Sequence, residues 1–425
     1  MNSITLINPP SPWLISDREL LPLGILYLAS YLRMKGHKVH IVDLTNGVYK
    51  TDYKLPSTDY YGISFVTPQI GYVKDIIKRI KHLRLTPTII AGGIHATSLP
   101  KDTSNMGSDF VVTGEAEQTL ELILKANLKI KDSEQIILQS KPLDNLNDLP
   151  FPSWDLIDME SYVKDLGVFS YLGSRHKNGR EINIMATRGC NNHCRFCTMY
   201  KGSCRWRSVD NVIAEIKELQ KLYGVNRIKF TDDNFTMNSN WLVEFCKKVK
   251  ETGIDWACLG RTDQSDLEIY KLMKVSGCIG IDFGVESGSQ RMLNVMNKNI
   301  TVGTQERGLK LAKEAGLKVR AQIMIACPNE DDVSISETVA FIKKNKEYVD
   351  KWGVHTFVCF PSCEFYHKAG KYNYEINTDF STYKTCGKQG IWEYVPPSFK
   401  DKIDIWRKKI EDAIGNNSIQ NITKE

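Results

Sequence analysis

A chain of 425 residues, 42% hydrophobic and 25% charged, is long enough for two or three globular domains. Its net charge of +6 is spread along the chain without a block of consecutive basic residues, which argues against a nucleic-acid substrate. No run of about 18 apolar residues predicts a membrane span. The first residues lack the basic start and apolar core of a signal peptide, so we expect a cytoplasmic protein.

The first 142 residues alternate between short apolar runs and helical patterns. Helices are predicted between the runs, and the first of them ends at Gly36, a residue typical of helix C-termini. Strands that alternate with helices imply right-handed crossovers and a parallel sheet. We therefore predict a doubly wound, Rossmann-like α/β domain. Its predicted strands are SITLINPP, HKVHIVDL, YYGISFVT, PTIIAGG and DFVVTGEA.

A break in periodicity separates this region from a second alternating series. Residues 143–175 contain Pro150 and Pro152 and are predicted to form a linker. Residues 176–360 contain six strand–helix units, which predict a partial (β/α)6 barrel with its chemistry at the carboxyl ends of the strands. Residues 361–425 are predicted to form a mostly helical extension. The six barrel strands are EINIMATRG, RIKFTDD, DWACLG, CIGIDFGVES, KVRAQIMIACP and WGVHTFVCF.

Three cysteines follow the first barrel strand with the spacing C-x3-C-x2-C. Cys190, Cys194 and Cys197 could bind three irons of a [4Fe–4S] cluster. The fourth iron would then be open to the amino and carboxylate groups of S-adenosylmethionine (SAM), as in catalytic metal sites that keep a free position. The alternative is a zinc site completed by His193. The position of the three cysteines at a barrel strand end favours the cluster.

The chain resembles the cobalamin-dependent radical SAM family over most of its length. The region from Glu181 to Phe360 resembles a radical SAM domain, and residues 1–140 resemble the cobalamin-binding domain that precedes it in that family. The stretches that carry the resemblance are LPLGILYLASYLRMKGHKVHIVDL, AGGIHAT, VTGEAEQTL, LPFPSWDL, FTDDNFT, GVESGSQ and MIACPNED. The resemblance implies three cofactors, which are a [4Fe–4S] cluster, SAM and cobalamin.

The resemblance also implies SAM contacts at the strand ends. Asp232 and Asp233 occupy the place of the motif that binds the SAM amino group, and a helix-capping pair is the alternative. Arg261 and Arg320 could pair with the SAM carboxylate or form surface salt bridges. Phe196 is implied at the adenine, Gln322 at the ribose, and the pair Glu286 and Ser287 at the ribose or methionyl group. The full set of implied SAM contacts is Phe196, Asp232, Asp233, Arg261, Glu286, Ser287, Arg320 and Gln322.

Cobalamin contacts are expected at the carboxyl ends of the first sheet. The motif D-x-H-x-x-G, whose histidine ligates cobalt in the methionine-synthase type, does not occur in residues 1–140. The lower face of cobalt is therefore expected to be open or held by water or another side chain, and a domain that no longer binds cobalamin is the alternative. His95 is expected to be a loop contact. The expected contacts are Asn8, Pro9, Ser64, Thr67, Gly92, Gly93, His95, Gly114 and Glu115.

These features predict a methyltransferase that acts on an unactivated carbon of a small molecule or of a natural-product or lipid precursor. A flavodoxin or ferredoxin is the expected electron donor. The main alternative is a radical cyclase or oxidative enzyme without methyl transfer. A tRNA methylthiotransferase is disfavoured because no cysteine precedes Cys190 and the C-terminal segment is predicted to be helical. A cobalamin-binding sensor or carrier would not need the three cysteines.

Overall fold

The chain forms two compact units. The first comprises Met1–Tyr162 with the short stretches Phe360–Ser362 and Thr378–Lys388, and the second comprises the remainder. None of the helices described is long and apolar enough to cross a membrane. The computed structural model describes residues 2–14, 16–83, 87–130, 135–163, 176, 178–198, 203–383 and 396–415.

The first unit contains a parallel sheet of six strands in the order β2-β1-β3-β4-β5-β6. This order confirms the predicted doubly wound fold, and the neighbours β1 and β3 mark the point where the winding direction reverses. The sequence did not predict β6, because Ile136 and Ile137 are about 40% exposed and do not form a buried run. The strands are β1 (Ser3–Asn8), β2 (Lys38–Asp43), β3 (Tyr60–Ser64), β4 (Thr88–Gly92), β5 (Phe110–Thr113) and β6 (Ile136–Gln139).

Helices cover both faces of this sheet. On one face, Leu6 of β1 packs with Ile25 and Leu120 of two helices, and on the other face Ile63 of β3 packs with Val73. Burial on both faces explains why the strands are almost continuously apolar. The two single-turn helices were not predicted because they are too short to show periodicity. The helices are α1 (Leu23–Met34), α2 (Ile70–Lys81), α3 (Ile94–Ser98), α4 (Pro100–Ser104) and α5 (Glu117–Lys125).

The second unit contains a second parallel sheet of six strands, in the order β14-β13-β12-β11-β10-β7. Each strand pairs with the next strand of the series, which confirms the predicted partial barrel. A separate antiparallel pair, β8 with β9, follows β7. The strands are β7 (Glu181–Ile184), β8 (Thr187–Arg188), β9 (Arg205–Trp206), β10 (Arg227–Phe230), β11 (Asp255–Gly260), β12 (Cys278–Glu286), β13 (Lys318–Ile325) and β14 (Lys351–Thr356).

Side-chain caps begin several helices of the second unit. Ser208 accepts a hydrogen bond from the Asn211 amide at the start of the first of them. The predicted C-terminal helix is confirmed as α13, which lies beside the edge strand β14, where Arg407 donates to the Val354 carbonyl at 3.3 Å. The helices are α6 (Val209–Tyr223), α7 (Ser239–Val249), α8 (Leu267–Val275), α9 (Gln290–Val295), α10 (Val302–Glu314), α11 (Asp332–Asn345), α12 (Glu364–His367) and α13 (Ile403–Ile414).

Candidate functional site

A buried aspartate holds the start of the cysteine loop. The Asp232 carboxylate, just after β10, accepts hydrogen bonds from the amides of Ala186 at 3.0 Å and Thr187 at 2.5 Å, and from the Thr187 hydroxyl at 2.6 Å. These amides therefore leave the parallel ladder, and the chain turns into the antiparallel pair β8–β9. The prediction of one continuous strand over residues 181–189 was wrong for this reason. The turn directs the following residues, which include Cys190, away from the sheet.

A turn after α9 holds the middle of the cysteine loop. The Asn297 side chain donates to the His193 carbonyl at 2.8 Å, and the Arg195 amide donates to the Met296 carbonyl at 2.9 Å. The Arg195 guanidinium adds a bond of 2.7 Å to the Val295 carbonyl. Asn297 has a positive φ of 52°, a conformation that asparagine tolerates better than most residues. This contact was not predicted from the sequence, in which only the asparagine-rich turn itself is visible.

The three cysteines differ in burial. Cys194 is buried, whereas Cys190 and Cys197 are half-buried and His193 is exposed. Within the described ranges, no three side chains of Cys, His, Asp or Glu lie close enough together to hold a metal ion. The chemistry of the donors nevertheless suits an iron–sulfur cluster, because three thiols lie on one loop anchored from both sides. The Asn192 side chain donates to the Cys190 sulfur at 3.4 Å.

Two cationic side chains flank Cys194. The Arg261 guanidinium, after β11, lies 3.8 Å from the Cys194 sulfur. The Lys298 ammonium forms a 3.0 Å ion pair with Glu286 and lies 5.9 Å from the centre of the Phe196 ring. Burial raises the pKa of the Cys194 thiol, and the charges of Lys298 and Arg261 oppose that effect. These residues surround Cys194 with positive charge that stabilises a thiolate. Lys298 was not predicted from the sequence.

The two aspartates after β10 have different environments. Burial raises the pKa of Asp232 to about 7 and that of Asp233 to about 6. Asp232 is occupied by backbone amides, whereas Asp233 is half-buried and forms no hydrogen bond or ion pair with the part of the chain that the structure describes. The helix-capping alternative is wrong for both, because Asn238 caps α7 by accepting from the Trp241 amide at 3.1 Å. Of the two aspartates, Asp233 is the one without a hydrogen-bond partner among the residues described.

The end of β12 carries the next predicted pair. Glu286 has a φ of 66° at a bulge in the pairing with β13, a strained conformation for a residue with a side chain. A Cβ atom on Gly284 would overlap the Glu286 carboxylate, so this glycine leaves the space that the carboxylate fills. Ser287 is buried, and its hydroxyl lies 3.1 Å from that of Thr338 on α11. Glu286 faces the cysteine loop through Lys298, whereas Ser287 is engaged with a helix.

Arg320 and Gln322 lie in a polar network with β12 and β14. Arg320 pairs with Asp282 at 3.4 Å, and the Gln322 amide donates to the same carboxylate at 2.9 Å. The Gln322 carbonyl oxygen lies 2.7 Å from Nε2 of His355. Burial lowers the pKa of His355 to about 4, so its imidazole is neutral at pH 7. The alternative of surface salt bridges is wrong for Arg320 and also for Arg261, because both side chains are about nine-tenths buried.

An apolar slot opens between the first sheet and the helices α1 and α5. It contains about 370 Å³ of empty space, including the part open to solvent. Gly93 has a φ of 96°, and a Cβ atom there would lie 2.6 Å from the Phe65 backbone, so only glycine fits. The slot is lined by Leu6, Ile25, Leu28, Gly62, Ile63, Ser64, Ile90, Gly92, Gly93, Val112, Ala116 and Leu120.

The other predicted cobalamin contacts build the loops at the same sheet edge. The Asn8 side chain donates to Asp43 at the end of β2, at 2.9 Å. The Pro9 carbonyl accepts from the Gln69 side chain at 3.0 Å. Glycine is needed once more at this edge, where Gly114 has a φ of 80°. Three residues predicted at this edge, which are Ser64, Gly114 and Glu115, are half-buried.

His95 is fully buried and has both ring nitrogens engaged. Nδ1 lies 3.1 Å from the Thr67 hydroxyl, and Nε2 lies 3.2 Å from the Asp102 carboxylate. The imidazole packs between the rings of Phe65 and Phe380. Burial lowers the pKa of His95. This arrangement supports the expected loop contact and leaves no nitrogen of His95 for cobalt.

Comparison with known families agrees with this division of the chain. The model of the B12 binding domain matches residues 16–124, and the model of the radical SAM superfamily matches residues 184–342. The first range includes every residue that lines the slot except Leu6, and the second includes the three cysteines and the strand ends around them.

Curated relatives match both regions together. An uncharacterised methyltransferase of Pyrococcus horikoshii is 30% identical over 76% of this chain and 73% of its own length. The cytidylyl-2-hydroxyethylphosphonate methyltransferase of Streptomyces wedmorensis is 25% identical over 91% of this chain and 85% of its own length. The anaerobic magnesium-protoporphyrin IX monomethyl ester cyclase of Cereibacter sphaeroides is 26% identical over 79% of this chain and 58% of its own length.

A solved structure shows the same fold. The radical S-adenosylmethionine methyltransferase TsrM of Kitasatospora setae, determined with cobalamin and a [4Fe–4S] cluster bound, superposes with a TM-score of 0.65 at 16% identity, over 87% of this chain and 75% of that chain. Together with the 30% identical relative and the two family models, this likeness settles the family. The chain belongs to the cobalamin-dependent radical SAM enzymes, whose cofactors are a [4Fe–4S] cluster, SAM and cobalamin.

Proposed function

We propose that this enzyme is a methyltransferase that acts on an unactivated carbon of a small molecule or of a natural-product or lipid precursor. The observation that carries the proposal is the 30% identity with a methyltransferase over three-quarters of the chain, across both units. When bound, the cluster with SAM supplies one-electron chemistry, and cobalamin carries the methyl group. The protein's own residues bind these groups, orient them and exclude water.

The residues around the cysteine loop hold the cluster and SAM in this proposal. Cys190, Cys194 and Cys197 ligate iron through their thiolates. Asp233 accepts hydrogen bonds from the SAM ammonium, because it is the half-buried carboxylate of this edge without a protein partner among the residues described. Glu286 lies beside the same loop through Lys298. Of the two predicted aspartates, Asp232 positions the loop and does not bind SAM.

The slot of the first unit receives the nucleotide tail of cobalamin in this proposal. Apolar side chains and glycines suit a flat heteroaromatic ring, and they offer it burial without charge. No histidine ligand is assigned to cobalt, because His95 is occupied on both nitrogens.

The proposal also divides the chain into domains. Residues 1–142 are the cobalamin domain, 143–175 the linker, 176–360 the radical SAM domain and 361–425 the extension.

A reducing environment suits this site. The ten cysteines described are free thiols, as expected of a cytoplasmic protein. We therefore propose that the enzyme works in the cytoplasm and receives electrons from a flavodoxin or ferredoxin.

The test combines cofactor loading with product mass. The protein is purified without oxygen, reconstituted with iron, sulfide and hydroxocobalamin, and examined for iron content and visible spectrum. Cells that express it are then fed methyl-labelled methionine, and their metabolites are compared with those of cells that express Cys194→Ala. A labelled product that depends on Cys194 supports the proposal. A loaded enzyme that cleaves SAM but labels nothing contradicts methyl transfer.

The 26% identity with the ester cyclase favours a second candidate, a radical cyclase or oxidative enzyme. In that case the product loses hydrogen and gains no labelled methyl group. The same mass comparison separates the two functions.

A further inference from the structure

Arg261 uses most of its hydrogen-bonding capacity inside the protein. A guanidinium has five N–H groups. Nε donates to Asp263 at 3.0 Å, and Nη2 donates to Asp263 and to the Lys298 carbonyl, both at 2.8 Å. Nη1 donates to the Cys194 sulfur at 3.8 Å. These contacts take four of the five donors and leave at most one for a ligand such as the SAM carboxylate.

The contacts also fix the direction of the guanidinium. Asp263 binds it through two nitrogens, and the Lys298 carbonyl holds it from the next loop, so the plane of the group cannot turn freely. The Arg261 side chain is about nine-tenths buried, and Asp263 is 28% exposed. Burying a guanidinium is costly unless its partners compensate for the lost water. This cost falls on a guanidinium whose Nη1 faces the Cys194 sulfur.

We propose that Arg261 is a positioning residue that donates a hydrogen bond to the cluster-ligating sulfur of Cys194 and thereby makes the cluster easier to reduce. The inference rests on the proposed role of Cys194 as an iron ligand. In the step concerned, the electron donor loses one electron and the cluster gains it. No bond is formed or broken, and no proton moves.

The physical reason is that reduction adds negative charge to the cluster and its sulfurs. A charged donor that points at a sulfur stabilises the reduced form more than the oxidised form, and hydrogen bonds to sulfur are known to set cluster potentials. Loss of this donor should lower the ratio of reduced to oxidised cluster at a fixed potential about tenfold, which corresponds to about 59 mV for one electron.

The test is a potentiometric titration of the reconstituted protein, followed by the electron paramagnetic resonance signal of the reduced cluster. Arg261→Met removes the donor, and Arg261→Lys keeps the charge without the fixed fork. Arg227→Met is the matched control, because Arg227 is also buried and pairs with a carboxylate, Glu181 at 3.6 Å, but lies at the start of β10, whereas the cysteine loop follows the end of the neighbouring strand β7. We expect a more negative midpoint potential for Arg261→Met, a smaller shift in the same direction for Arg261→Lys, and none for Arg227→Met.

Two results would overturn the inference. One is a wild-type potential in Arg261→Met with a full cluster. The other is loss of the cluster in both Arg261 variants while Arg227→Met keeps it, which would assign Arg261 a purely structural role. Failure of the proposed function is seen separately, since Cys194→Ala would then retain a full cluster and SAM cleavage.

Discussion

The two parallel sheets of this protein present very different carboxyl edges. At the barrel edge, the buried cation Arg261 lies 3.8 Å from the Cys194 sulfur and Lys298 lies 3.0 Å from Glu286, and Asp232, Arg261 and Lys298 are held by backbone groups or by opposite charges. At the edge of the first sheet, glycines and aliphatic side chains line a slot, and the buried His95 is turned inward. In the proposed function, this difference follows from the ligands. A charged cofactor is bound by polar groups with fixed directions, and a large flat one is bound by shape and burial.

The two edges should also bind their cofactors independently of each other. The polar groups of the barrel edge contact one another within the second unit, and the slot is built entirely from the first unit. A substitution at one edge should therefore affect one cofactor and leave the other in place.

Replacing Cys194 by alanine should have the largest effect. A cluster held by two thiolates is not retained, so we expect iron content to fall sharply and SAM cleavage to reach background, while cobalamin binding stays normal. Iron analysis and the visible spectrum measure the cluster content and the cobalamin binding. Cys246→Ala, which removes a buried thiol of α7 far from the loop in sequence, is the control and should keep its cluster. Loss of cobalamin together with the cluster would refute the independence of the two edges.

Filling the slot should have the converse effect. A Cβ atom on Gly92 has room, with the Val112 carbonyl 3.6 Å away, so the side chain of Gly92→Val occupies the slot without a backbone clash. We expect cobalamin affinity to fall at least about tenfold, a loss of about 1.4 kcal/mol, with iron content unchanged. Gly71→Val on α2 faces open space and is the control. Unchanged cobalamin binding in a folded Gly92→Val protein would show that the slot does not receive the cofactor.

Removing the aspartate that positions the loop should have an intermediate effect. Asp232→Ala leaves the buried amides of Ala186 and Thr187 without acceptors, at about 1–3 kcal/mol each. Because groups that orient metal ligands typically change affinity about 10–100-fold, we expect weaker cluster retention on dilution with a chelator. Asp266→Ala, which removes an exposed helix cap on α8, should cost stability but not the cluster. Equal cluster retention in the two variants would contradict the role of Asp232.

The smallest effect on cofactor binding concerns pH and the loop after β13, where only the stability of the fold is expected to change. Burial raises the pKa of Glu330 to about 8, and its carboxyl group accepts from the Cys327 amide. The folded protein therefore keeps this proton while the unfolded chain loses it, and stability falls as pH rises from about 4.5 to 8. Glu330→Gln never ionises, so its stability relative to wild type should rise through that window by at most about 1.4 kcal/mol per pH unit. Urea midpoints followed by tryptophan fluorescence measure this. A constant difference between pH 5 and 8 would contradict it, and the exposed Glu337→Gln is the control.

The sequence predicted both sheets and the place of the cysteine loop, because buried parallel strands are apolar runs and the thiol spacing is specific. It also placed Asp232, Asp233 and Glu286 at strand ends. It could not show which of two neighbouring aspartates is engaged by backbone amides, because that depends on Ala186 and Thr187, more than forty residues earlier in the chain.

Lys298 was missed for a similar reason. Its partner Glu286 is twelve residues away, across a short helix that shows no periodicity. The loop contact between Arg195 and Val295 spans a hundred residues. Such contacts form only when the sheet curves into the partial barrel, so they cannot be predicted from residues that are neighbours in the sequence. The apolar slot was not predicted either, because its glycines and aliphatic residues are scattered along the sequence.

An open barrel leaves the hydrogen-bonding groups of its last strand uncovered, and bare strand edges recruit other strands. In this protein α13 lies against β14 through Arg407, whose second nitrogen donates to the Thr356 hydroxyl at 2.6 Å. This helix is encoded after every strand of the barrel. During synthesis this edge therefore stays uncovered until the ribosome has released α13, and we expect a chain truncated before α13 to aggregate more readily than the full chain.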